Sequence, residues 1–72
     1  MQMSYDPETD IVLCQVSKKK IDHAEEQGPF ILHFDRYDQP VLLEIQNGRR
    51  FIGELARLAL TAKHDKTSPV KI

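Results

Sequence analysis

The stretch VLLEIQNGRRFIGELARLALTA, residues 41–62, changes period in its middle, and that change decides the fold class. Residues 41–45 are apolar except for Glu44, in a run too short for a stable helix. Read as a strand, it turns Val41, Leu43 and Ile45 to one face and Leu42 to the other. After Asn47 the spacing becomes three and four, so that Phe51, Ile52, Leu55, Leu58, Ala59 and Ala62 form a stripe with Arg49, Arg50, Glu54 and Arg57 away from it. The stretch predicts a strand feeding an amphipathic helix, with Asn47 as its cap and Leu55 and Leu58 turned toward a sheet. Gly53 within the stripe costs about 1 kcal/mol relative to alanine, which a close approach to the sheet would explain.

Upstream, the period is two or the segments are short and apolar. Met1, Met3 and Tyr5 alternate with polar residues up to Pro7, and Ile11 to Val16 is apolar and rich in β-branched residues, which predicts a hairpin. Its second strand puts Val12, Cys14 and Val16 on one face and Ile11 and Leu13 on the other. The polar segment up to Gly28 and Pro29 has room for a short edge strand around residues 21–25, and Phe30 to Phe34 reads as a further strand before the turn DRYDQP. The expected architecture is α+β, a small antiparallel sheet of about four strands in meander order with one C-terminal helix packed on one face. Residues 1–62 form one domain and residues 63–72 a flexible polar tail.

Length and charge narrow the function classes. A domain of 72 residues is marginal in the apolar surface it can bury, and the single Cys14 offers no internal disulfide, which points to a reducing compartment and to oligomerisation as the supplement. The net charge of -1 gives no global field for a polyanion, which argues against nucleic acid. A nucleic-acid-associated protein using Lys18, Lys19, Lys20, Arg49 and Arg50 stays open as an alternative. With no charged leader and no apolar run of about 18 residues, no membrane association is expected and the location reads as cytoplasmic.

Taken together, YDPETD before an apolar strand, then KIDHAEE, Gly28, a strand ending in FD, and the LEI of the last strand resemble a small, mostly bacterial family, the domain of unknown function 2283. The resemblance covers roughly residues 4–52 and implies a small antiparallel sheet with a helix against it. It also implies a partner-binding role, possible antitoxin-like pairing with a neighbouring small toxin-like protein among them. Two departures stand out. The turn Asp35, Arg36, Tyr37, Asp38 lacks the family's glycine, which argues against a tight two-residue turn, and His33 stands where the family often has an acid.

Residues able to carry chemistry are few. Asp6, Glu8 and Asp10 copy the early spacing of a calcium loop, but Ile11 replaces its glycine and Ser17 its final glutamate, so a turn explains them better. In that turn Asp6 bonds the backbone ahead and Asp10 accepts from turn amides. Cys14, His23, His33 and His64 are too scattered for the close ligand pairs of zinc sites, so no metal or other cofactor is expected, although a small metal-binding protein remains an alternative. His33 and Asp35 can meet on one strand face. Cys14 reads as a core residue, and Ser4, Ser17 and Ser68 have no adjacent histidine, so the chain is not expected to be an enzyme.

What remains is surface. One helix covers one face of a sheet whose strands are apolar on both, leaving Ile11, Leu13 and Leu42 as the candidate interface for a second copy or a small protein partner.

Overall fold

The computed structural model describes residues 1–62, and the expected polar tail lies outside the described residues. Five strands, β1 (Gln2–Asp6), β2 (Ile11–Gln15), β3 (His23–Gln27), β4 (Phe30–Phe34) and β5 (Pro40–Ile45), are followed by helix α1 (Gly48–Thr61). All pairings are antiparallel, in the spatial order β1-β2-β5-β4-β3. The architecture is therefore α+β with five strands, against about four expected, and the edge strand allowed around residues 21–25 forms as β3. The order corrects the expected meander. Composition explains it: β2, β4 and β5 are the most apolar segments and take the centre, while the polar QMSYD and HAEEQ take the edges, where burial is least.

Pairing along β5 is interrupted. His33 faces Leu42 and Phe34 faces Pro40, so Val41 is an extra residue at a bulge. Its carbonyl accepts from the Val16 and Ser17 amides at 2.8 and 3.2 Å. Val41 is buried there, apart from the cluster formed by Val12, Cys14 and Ile45, which corrects its placement in one apolar row with Leu43 and Ile45.

The main cluster is small. Phe30, Leu43 and Phe51 pack against Val12, Cys14 and Ile45, with the rings of Phe30 and Phe51 edge to face at 5.8 Å. Phe51 brings α1 onto this face. The closest approach is Gly48, where a Cβ would lie 2.8 Å from Val12 Cγ2 and 3.2 Å from the Val12 backbone nitrogen. Gly53 has open space around it, so the expected close approach belongs to Gly48 instead.

Only Gln46 and Asn47 separate β5 from α1, which pins the first helical turn over the end of the sheet. Later turns border an open groove. Leu58 is half-buried, but Ile52 is 47% and Leu55 44% exposed, which corrects the expectation that Leu55 packs against the sheet. Asn47 adopts a left-handed conformation and makes no side-chain cap, so the helix start must be satisfied from elsewhere.

Candidate functional site

The registers define the second face of the sheet residue by residue. Ile11 and Leu13 of β2, Leu42 and Glu44 of β5, and Ile31 and His33 of β4 lie on one side, because directly opposed residues of an antiparallel pair share a face. Ser4 stands opposite Leu13, and Asp6 opposite Ile11. The one helix among the described residues contacts the other face through Gly48 and Phe51. The three candidate residues thus fall on one face that no described helix covers, each half-buried among its neighbours. Ile31 is a fourth, which alternation along FILHF would have assigned once its pairing with β5 was known.

A polar pair sits within this apolar row. His33 Nε2 and Glu44 Oε1 are 2.7 Å apart with both side chains largely shielded. His33 and Asp35, which the sequence allows to meet, bond to different partners. Asp35 turns instead into the β4–β5 loop, where its Oδ1 accepts from the Tyr37 and Gln39 amides at 2.8 and 2.9 Å. Its Oδ2 is buried without a hydrogen-bond partner, with Lys19 Nζ 3.9 Å away. The Gln39 and Tyr37 amides, helped by Lys19, hold the Asp35 carboxyl below its ordinary value against the effect of desolvation. Asp38 occupies the left-handed position in this loop, a conformation that an aspartate tolerates without a glycine.

The acid loop has a role that its spacing does not reveal. Asp6 Oδ1 accepts the Glu8 amide at 3.0 Å, the expected turn contact. Asp10 does not bond the turn amides as expected. Its carboxylate accepts from the Tyr5 hydroxyl at 2.7 Å and from the Arg49 amide at 2.8 Å, and its carbonyl accepts from the Gly48 amide at 2.8 Å. The turn therefore caps α1. Those donors, Tyr5 first, lower the Asp10 carboxyl below its ordinary value.

The remaining polar residues do not converge. Among the described residues, no three His, Cys, Asp or Glu side chains gather where they could hold a metal ion. Cys14 is in the core. His23 stacks on Phe34 at 5.2 Å and lies 2.9 Å from both Asp22 and Asp38, while His64 lies outside the described residues. Lys18, Lys19 and Lys20 follow the end of β2 where it pairs with Leu42, whereas Arg49 and Arg50 open the helix beside the start of β2. Five residues of strand separate these ends, about 17 Å, so the two basic groups form no single phosphate footprint.

On the helix side, Gly28, Pro29 and Phe30 face Phe51, Leu55 and Leu58 across a groove of about 1020 Å³ open to solvent. Its charged lining residues are Arg50, Glu54 and Arg57, and the last two pair with each other. No described helix is long and apolar enough to cross a membrane.

Neither the curated proteins nor the solved structures contain a match to this chain. A family model does match, over residues 2–48, a span that takes in all five strands and stops at the first residue of α1. By that match the chain belongs to the family described as protein of unknown function (DUF2283).

Proposed function

We propose that the chain is a protein-interaction module, without catalytic activity, that self-associates through the sheet face carrying Ile11, Leu13, Leu42 and Ile31. The observation that carries the reading is the placement of the single described helix on the opposite face, over Val12 and Phe30, which leaves this apolar row without a covering helix or sheet among the described residues, bordered beside Leu13 and Leu42 by Lys19 and Ile21. The His33–Glu44 pair fits a buried interface, because each partner satisfies the other and neither is orphaned when water leaves.

Area sets the strength. Five strands about 4.8 Å apart, of five or six residues each rising about 3.3 Å, present a face of roughly 400 Å². A standard interface takes about 800 Å² from each partner, so stacking of single faces gives a concentration-dependent dimer rather than an obligate one. A small protein partner, of the antitoxin-like pairing that the family resemblance implies, would use the same apolar row. Dilution of isotope-labelled protein tests the assignment: resonances of Ile11, Leu13, Ile31 and Leu42 shift with concentration. Shifts confined to α1 would refute it.

A further inference from the structure

The sheet ends in two edges of opposite character. On β3, Glu25 and Glu26 occupy neighbouring positions, and side-chain charge on an edge repels an incoming strand. β1 has no such guard. All five of its residues are exposed, its pairing with β2 is unbroken, it contains no lysine, proline or bulge, and its only charge is Asp6 at the end. An open edge of this kind presents unpaired backbone donors and acceptors to any strand that can match it.

We propose that β1 pairs antiparallel with β1 of a second copy, across a two-fold axis at Ser4, joining two sheets into one of ten strands. The side chains suit their own reflection. With Ser4 opposite its counterpart, Met3 meets the second copy's Tyr5 on the helix-bearing face, and Gln2 meets its Asp6 on the other. Met3 is 66% exposed in the single chain, and the pairing sets its thioether against an aromatic ring. The Gln2 amide donates to the Asp6 carboxylate. The same operation on β3 would oppose Glu25 to Glu25, a like-charge pair that disfavours association there.

Area supports the same occupant. Edge pairing keeps both uncovered faces on one side and doubles the roughly 400 Å² of a single face to about 800 Å², the size of a standard interface. The edge contact is independent of the face contact, and together they build a tetramer of two stacked ten-stranded sheets.

Cross-linking tests the register. In Ser4→Cys the two thiols face each other with Cβ atoms about 4.5–5.5 Å apart, close enough to bridge after small adjustment. In Gln2→Cys they are four residues out of step, roughly 13 Å apart. Under mild oxidation Ser4→Cys is expected to form a covalent dimer at least tenfold faster than Gln2→Cys or the unsubstituted protein, whose Cys14 is buried. The rate is expected to persist when Leu42→Glu is added to block face stacking, which separates this inference from the face reading. Equal rates for the two cysteine positions, absence of the Ser4→Cys dimer, or its loss on adding Leu42→Glu would overturn the proposal.

Discussion

Asp10 and Arg49, 39 positions apart, are joined by a hydrogen bond of 2.8 Å from the Arg49 amide to the Asp10 carboxylate. This contact lets a hairpin turn at the start of the chain cap the helix at its end. Asp10→Ala removes the acceptor and places a side chain without local hydrogen bonding at φ 56°, so it is expected to lower Tm by roughly 4–8 °C, the shift produced by a lost cap in a domain of this size. Asp10→Asn keeps an acceptor oxygen and tolerates the left-handed backbone, so its loss is smaller. Equal Tm values for Asp10→Ala and the unsubstituted protein would show that the cap contributes nothing.

Stability should fall on both sides of neutrality. The Asp10 and Asp35 carboxyls are held below their ordinary values in the folded chain, so their contribution is complete above about pH 4 and is lost as pH falls through the folded values. His23 behaves oppositely. Its hydrogen bond to Asp22, with Asp38 beside it, raises its value, so its contribution is complete below about pH 6.5 and is lost as pH rises through the folded value. Asp10 and His23 are partly exposed, so added salt weakens their contributions, whereas the buried Asp35 is screened less. Thermal melts across the pH range should show Asp10→Asn flattening the acid limb and His23→Gln the alkaline limb. Unchanged limbs in these variants would sink the assignment.

The two helical glycines should respond in opposite directions to the same substitution. Gly48→Ala drives a methyl group into Val12 and is expected to destabilise by about 1–3 kcal/mol. Gly53→Ala meets open space and should stabilise by roughly 0.5–1 kcal/mol through helix propensity. Leu55→Ala, at a half-exposed position, should cost well under the ~2–5 kcal/mol of a buried leucine. Chemical denaturation measures all three, and a stabilising Gly48→Ala would contradict the docking of α1.

Periodicity carried the local structure wherever an element has an apolar pattern: alternation in residues 1–5, short apolar runs in IVLC and FILHF, and threes and fours after Asn47, whereas the polar HAEEQ of β3 has none. Strand order was not legible, since nothing local to β5 says that it enters between β2 and β4. That choice depends on which strands are most apolar relative to one another. The faces of Leu13 and Leu42 followed from parity, whereas Ile31 needed the register. The bulge at Val41 and the reach of Asp10 to Arg49 are contacts between distant segments, invisible to spacing. Leu55 was misplaced because a stripe of apolar residues records amphipathicity but not how far a sheet extends beneath it.

Sedimentation of the protein and of Leu13→Glu over a micromolar concentration series tests self-association most directly. Leu13 lies in the middle of the uncovered row, opposite Ser4 and Glu44, and a carboxylate there must be desolvated beside Glu44 when two faces stack. The account predicts that the unsubstituted protein gains mass with concentration and that folded Leu13→Glu sediments at half that mass. An unsubstituted protein that stays at the mass of one chain throughout, or a folded Leu13→Glu that associates as strongly as the original, would contradict it.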